Sequence, residues 1–196
     1  MKILIASNNK KKIAELRAIL EKDIPDIEML SLSDVGFFSE IVEDGTTLSE
    51  NALIKANAPK SEYITVADDT GLFVDALGGA PGIYTARYAG EECDSDANIN
   101  KLLASLDGVG ENERTAHFET VIACRFPSGE SFCVTGRCDG AIAAERLGDG
   151  GFGYDPVFVC KDTGLSFSQM GTDEKNKVSH RAKAIAAFAE ELKKRI

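Results

Sequence analysis

Lys2-Ile3-Leu4-Ile5-Ala6-Ser7-Asn8-Asn9 is the stretch on which the fold turns. A short apolar run that stops at a polar turn reads as a buried strand, and Ile13, Leu16, Ile19 and Leu20 then recur at helical spacing. Strand, polar turn and helix in that order open an α/β protein. Working outward, Ile27 to Leu30 reads as a second strand. Thr47 and Glu50 have the spacing of a capping box, which predicts a helix over 47–58. Tyr63 to Ala67 is β-branched and aromatic enough for a strand. Asp94 or Ser95 caps a further helix with Ile99, Leu102, Leu103 and Leu106 on one face and Gly108 beyond its end. Runs 116–126 and 131–138, separated by Pro127-Ser128-Gly129-Glu130, predict a hairpin. Val157 to Val159 is another short strand, and 179–195 an amphipathic helix carrying Ile185, Phe188, Ala189 and Leu192. The sum is an α/β fold with a mixed twisted sheet and flanking helices.

Composition narrows the function. The chain has 196 residues, enough for one domain or two closely packed lobes, and its 43% hydrophobic content excludes a disordered chain. With 22 Lys+Arg against 32 Asp+Glu the net charge is -10, which argues against a nucleic-acid binder. No apolar run approaches a membrane span, and lysines after the first apolar run do not suit a signal peptide. The cysteines, Cys93, Cys124, Cys133, Cys138 and Cys160, are odd in number and form no CxxC. They read as thiols in a reducing cytosol.

Several segments carry chemistry. Ser7-Asn8-Asn9-Lys10-Lys11-Lys12 lies where a strand hands over to a helix, so it is either a phosphate cradle or a capped helix with solvated lysines. No GxxxxGK[ST] occurs, which excludes a P-loop. Asp68 and Asp69 follow a strand expected to end at Ala67, the position where open α/β sheets place ligands. Alternation predicts that only one of the two faces a site, where it would hold Mg2+ or take a proton from water; an ordinary acidic turn is the alternative. The loop 39–45 could add a carboxylate from Glu40 or Glu43, or be a solvated loop. Gly148 to Gly153 matches GxGxxG, but Tyr154-Asp155-Pro156 and a strand follow instead of a helix, so the dinucleotide reading fails. What remains is a glycine loop presenting Phe152, Tyr154 and Asp155. Ser179 suits an N-cap, placing His180 and Arg181 in the first helical turn. His117, in a strand beside Phe118, reads as structural.

Taken together, these segments resemble the inosine/xanthosine triphosphate pyrophosphohydrolases, the Ham1-like family of noncanonical purine NTP pyrophosphatases. The resemblance rests on ordered blocks: Ser7-x-Asn9-x-x-Lys12; Glu43-Asp44-Gly45 leading to Glu50-Asn51-Ala52-x-x-Lys55-Ala56; Ala67-Asp68-Asp69-Thr70-Gly71-Leu72; Gly78 to Gly90; Phe152-Gly153-Tyr154-Asp155-Pro156-x-Phe158; and Glu174-Lys175-Asn176-Lys177-x-Ser179-His180-Arg181. It implies one domain over 1–196 with two lobes around a central nucleotide-binding cleft. It further implies cleavage of ITP, dITP and XTP to monophosphate and pyrophosphate, Mg2+ as cofactor and a homodimer, while the charge, apolar runs and cysteines above give the expectation of a cytoplasmic protein with neither nucleic acid nor membrane as partner. Carried over, Ser7, Asn9 and Lys12, with Asn8, Lys10 and Lys11 of the same segment, and Lys55 would meet the triphosphate. Asp69 would be the catalytic carboxylate and, with Glu43 or Glu40, a metal ligand, and Thr70 a substrate contact. Phe152, Gly153, Tyr154, Asp155, Lys175, His180 and Arg181 would surround the base. Donors from His180 and Arg181 would favour a 6-oxo purine over adenine.

Overall fold

The computed structural model describes residues 1–24 and 27–196, with the side chains of residues 10, 11, 19, 22 and 23 outside that description. The side chains of Lys10 and Lys11, expected at the phosphates, and of Ile19, expected on the first helix's apolar stripe, therefore lie outside the described residues. The elements are β1 (Lys2–Ile5), α1 (Lys10–Asp23), β2 (Glu28–Ser31), α2 (Leu48–Asn57), β3 (Ile64–Val74), β4 (Pro81–Gly82), α3 (Ser95–Ser105), β5 (Thr115–Arg125), β6 (Ser131–Ile142), β7 (Phe158–Cys160), α4 (Thr172–Val178) and α5 (His180–Lys193). The strands form a mixed sheet in the order β2-β1-β3-β5-β6-β7, with β4 paired to β3. This is the α/β class with a mixed sheet that the sequence predicts.

Two compact units divide the chain. The first comprises Met1–Asp69, Thr120–Gly136 and Ala182–Ile196. Within it β1 pairs in parallel with β2 (Ile3 opposite Met29) and with β3 (Ile3 opposite Ile64, Ile5 opposite Val66). Its core joins Ile3, Ile5 and Val66 to Leu16 and Leu20 of α1 and to Ile185, Phe188, Ala189 and Leu192 of α5. Those helical residues are the ones whose spacing predicts an inward stripe.

The second unit comprises Thr70–Glu119 and Arg137–Arg181. Here β4 pairs antiparallel with β3 (Leu72 opposite Gly82) and β7 antiparallel with β6 (Gly140 opposite Cys160). Ile99, Leu102 and Leu106 pack with Phe118, Phe158 and Phe167 in its core. Asp94, rather than Ser95, caps α3 by accepting from Ala97 N at 2.9 Å. His117 stacks on Phe73 with ring centroids 5.0 Å apart, a structural place as expected.

Three elements depart from the sequence reading. β3 does not stop at Ala67 but runs on through both aspartates to Val74. Aspartate is a poor strand former, which is why the sequence suggests an end there; in the fold each of these carboxylates meets a lysine, so the strand buries no unpaired charge. What ends on schedule is the parallel pairing with β1, whose last matched pair is Ile5 and Val66. β4 and α4 are the other departures. β4 is too short to show alternation, and α4, Thr-Asp-Glu-Lys-Asn-Lys-Val, has no apolar stripe to announce it.

Candidate active site

In the first unit, β1 delivers the chain to α1 through a fixed turn. Ala6 N donates to the Val66 carbonyl at 2.8 Å, Asn9 N to Ser7 Oγ at 3.2 Å, and Lys12 N to Asn9 Oδ1 at 3.2 Å. Asn9 is thus the N-cap of α1, and its neighbour Asn8 is exposed. The cap sets the direction of the first turn, and from there Lys12 Nζ reaches Asp68 Oδ2 at 2.9 Å.

The second lysine comes from α2. Thr47 caps this helix by accepting from Glu50 N at 3.1 Å. The returning arm of the capping box goes one residue further back than the sequence suggests: Glu50 Oε2 accepts from Thr46 N at 2.6 Å and Thr46 Oγ1 at 2.8 Å. Asn51 Oδ1 accepts from Gly45 N at 2.9 Å. Gly45 must be glycine, since a Cβ there would lie 2.7 Å from both Asn51 Oδ1 and Glu50 Cβ. These contacts lay the acidic loop along α2. One turn beyond Asn51, on the same helix face, Lys55 Nζ meets Glu43 Oε2 at 2.7 Å and Asp69 Oδ1 at 3.0 Å.

Lys12, Lys55, Glu43, Asp68 and Asp69 therefore form one charged cluster. The two aspartates, adjacent in β3, meet lysines from different helices: Asp68 is held by Lys12 of α1 and Asp69 by Lys55 of α2. Burial pushes the Asp69 carboxyl above its ordinary value, and the attraction of Lys55 and then Lys12 offsets this only in part. Burial opposes the charge on Lys55, yet the carboxylates of Asp69, Asp68 and Glu43 together raise its pKa. Asp69 Oδ2 is buried and has no hydrogen-bond partner among the described residues. Glu40 lies exposed in the loop, so of the two candidate metal carboxylates it is Glu43 that the fold brings to Asp69.

A divalent metal fits this donor set. Among the described residues no three acids, histidines or cysteines gather as a ready-made metal shell. Mg2+ does not require one, because it is typically held by one or two carboxylates together with water and phosphate oxygens. Asp69 and Glu43 supply such a pair, one oxygen of Asp69 is unclaimed, and a cation already bridges them.

In the second unit the glycine loop folds around Asp155. Its Oδ2 accepts from Phe152 N at 2.8 Å and pairs with Lys175 Nζ at 2.7 Å. Gly151, with φ 79°, passes so close to Asp155 Oδ2 that no side chain fits there. Lys175 Nζ also sits 4.8 Å from the centroid of the Phe152 ring, and the Arg181 guanidinium carbon 5.6 Å from it. His180 is 4% exposed and stacks on Phe118, with centroids 4.5 Å apart, and on Phe167 at 5.8 Å. Thr70 and Gly153 are half-buried. Tyr154, expected beside the base, lies in the second unit's core, where its hydroxyl donates to the Thr85 carbonyl at 2.9 Å. Asp155 is likewise spent on the loop and on Lys175.

Sequence reasoning missed four supporting residues. Asn51 had a signal, its four-residue spacing from Lys55. Thr85, Phe118 and Phe167 had none, because each acts through a long-range contact.

The fold defines an α/β protein with a mixed sheet, and its first unit carries a cluster of two lysines and three carboxylates. A profile of the Ham1 family matches residues 3–191. The dITP/XTP pyrophosphatase of Leuconostoc mesenteroides is 45% identical over 98% of this chain and 96% of its own length. Its counterpart from Bacillus subtilis is 44% identical over 96% of each. The solved structure of the Staphylococcus aureus Ham1 protein matches with a TM-score of 0.90 at 37% identity, covering 100% of both chains. The chain belongs to the Ham1 family.

Proposed function

We propose that this protein hydrolyses noncanonical purine nucleoside triphosphates, dITP, ITP and XTP, to the monophosphate and pyrophosphate, and so clears deaminated purines from the nucleotide pool. The dITP/XTP pyrophosphatases that it resembles along nearly its whole length support this activity. The observation that carries the chemistry is Asp69: a buried carboxylate with a raised pKa, one oxygen held by Lys55 and the other without a hydrogen-bond partner. A carboxylate with one oxygen fixed and the other open is placed to take a proton from water.

In this reading Asp69 accepts the proton of the attacking water as its oxygen bonds to phosphorus, and pyrophosphate leaves with the electrons of the broken anhydride bond. Asp69 and Glu43 would hold Mg2+, which when bound neutralises phosphate charge and polarises the attacked phosphorus. Ser7, Asn8, Asn9, Lys10, Lys11, Lys12 and Lys55 would receive the phosphates, and Thr70 would touch the substrate beside Asp69. A chain at -10 binds a polyanion only by concentrating cations locally, which Lys12 and Lys55 would do together with Mg2+, since the metal offsets the carboxylates that hold these lysines.

The second unit's cluster suits a purine. Phe152 and Gly153 would lie against the base, Lys175, His180 and Arg181 would supply donors, and Tyr154 and Asp155 would fix the loop that carries Phe152. A donor facing a 6-oxo group is satisfied, whereas facing a 6-amino group it is left unpaired at a cost of about 1–3 kcal/mol. One or two such contacts give discrimination on the order of 10- to 1000-fold. The unbroken family match supports a single domain over 1–196. No described helix is long and apolar enough to cross a membrane. Action on the nucleotide pool favours a cytoplasmic setting, and the family resemblance a homodimer.

Product analysis with ITP, dITP, XTP, GTP and ATP at equal concentration with Mg2+ tests the proposal. IMP and pyrophosphate are the expected products from ITP. IDP with orthophosphate would overturn it.

A further inference from the structure

Lys55 occupies a position that the proposed function gives it no reason to hold. A lysine meant only for phosphate would extend into solvent in the absence of substrate. Instead its ammonium lies between Asp69 Oδ1 at 3.0 Å and Glu43 Oε2 at 2.7 Å, on a residue that is 9% exposed. These are oxygens of the same two carboxylates that would take the metal. The open oxygen of Asp69 is Oδ2, but a divalent ion there would still stand within a carboxylate's width of the ammonium on Oδ1, and like charges that close repel strongly in a largely buried site. The backbone of α2 cannot relieve the conflict by moving. Thr47 caps it, and Leu48, Ala52 and Ala56 bury its inner face. Only the four-carbon stem of Lys55 can swing.

We infer that Lys55 is a resident counter-cation, which offsets part of the charge of the Asp69–Glu43 pair without metal and must swing away from it for a divalent ion to bind tightly. This rests on the metal-site reading above and adds a direction to it. In the resting protein Lys55 competes with the metal. Once phosphate is present, the same ammonium has a better partner, and the competition becomes cooperation. Binding of the free metal is then weak by construction, and nucleotide strengthens it beyond the phosphate oxygens the nucleotide itself contributes. The device disfavours loading of the carboxylates without substrate.

The inference gives Lys55 effects of opposite sign, which a purely structural lysine lacks. Removing it should tighten the binding of metal alone and weaken the binding of pyrophosphate alone. The test uses metal-free protein and Mn2+ without nucleotide, with free Mn2+ followed by electron paramagnetic resonance. Wild type, Lys55→Met and Lys55→Gln are compared, each with and without Asp69→Asn, with circular dichroism confirming the fold. The Gln variant keeps a hydrogen-bond donor and so serves if Met at a polar site unfolds the protein. The expected result is Mn2+ binding tighter by about tenfold or more in the Lys55 variants, a normal size for coupled binding, with the gain abolished by Asp69→Asn. Equal or weaker Mn2+ binding in a folded Lys55 variant overturns the inference, and if Asp69→Asn still lowers affinity the metal site stands without it. A gain that survives Asp69→Asn overturns both, since the metal would then sit elsewhere.

Discussion

Tyr154 donates its hydroxyl to the backbone carbonyl of Thr85 at 2.9 Å, linking the glycine loop to the Gly78–Gly90 segment from inside the second unit's core. Thr85 is itself engaged, its Oγ1 accepting from Leu72 N at 2.7 Å and donating to the Gly82 carbonyl at 2.5 Å. The tyrosine therefore spaces two loops.

Tyr154→Phe tests this directly. The variant keeps the ring and leaves one buried carbonyl without its donor, so stability should fall by about 1 kcal/mol. Chemical denaturation measures that loss. The ITP-to-ATP ratio of kcat/KM should stay unchanged, and a ratio shifted by tenfold would return the hydroxyl to the base pocket.

Asp69 and Asp68 offer a matched comparison, being adjacent, both paired to lysine and both close to the same charges. Asp69→Asn keeps the shape, removes the proton acceptor, and should lower kcat by at least about 100-fold. Asp68→Asn frees Lys12 from its partner without touching the proposed base, so its effect should be much smaller. Turnover of Asp69→Asn within about threefold of wild type, a barrier change of only about 0.7 kcal/mol, would remove Asp69 from the chemistry.

The legible parts of this protein were those written in local patterns. The β1–α1 unit follows from the apolar run at Ile3 to Ala6 and the spacing of Leu16 and Leu20. The α2 cap follows from Thr47 and Glu50. The site was legible as residue types, since Lys12, Lys55, Glu43 and Asp69 all stand in short blocks. Their pairing was not. Which lysine meets which carboxylate depends on the turn of chain between β1 and α1 and on the tie from Asn51 to Gly45, neither of which has a periodicity. The continuation of β3 through Asp68 and Asp69 was hidden for the same reason, because the lysines that make it tolerable come from residues 12 and 55.

The cysteines allow a prediction with a worked sign. Burial pushes the Cys124 thiol up to about 12, while Cys93 and Cys133 are exposed and Cys138 and Cys160 are buried. An aromatic disulfide reagent at pH 8 should therefore label Cys93 and Cys133 in the native protein and all five after unfolding. A thiol whose native pKa is raised stabilises the fold fully below the unfolded value. Above that value the unfolded state binds fewer protons, so stability declines as pH rises from about 9 towards 12. Cys124→Ala should flatten that decline in denaturation midpoints measured across the range. An unchanged slope would assign the alkaline loss to other groups.

The last prediction concerns base selection, where the second unit's geometry changes what each substitution should do. His180 packs against the rings of Phe118 and Phe167, so His180→Ala opens a cavity and lowers stability as well as activity. His180→Phe keeps the stack and removes the ring nitrogens, which makes it the cleaner probe of a donor to the 6-oxo edge. Arg181 and Lys175 both lie over the Phe152 ring, so Phe152 sets where these cations sit in addition to presenting its own face. If donors from this helix start read the base, His180→Phe and Arg181→Ala should lower kcat/KM for ITP and XTP far more than for the residual ATP reaction. The ratio should compress by about 1–3 kcal/mol. Phe152→Leu, which keeps bulk but removes the π face that steadies the cations, should weaken all purine triphosphates and also compress the ratio in part. Steady-state kinetics on ITP, XTP and ATP, with thermal melting as a check on folding, decides among these. Equal losses on ITP and ATP in the His180→Phe and Arg181→Ala variants would place both residues on phosphate or packing, and selectivity would then belong to backbone donors of the glycine loop.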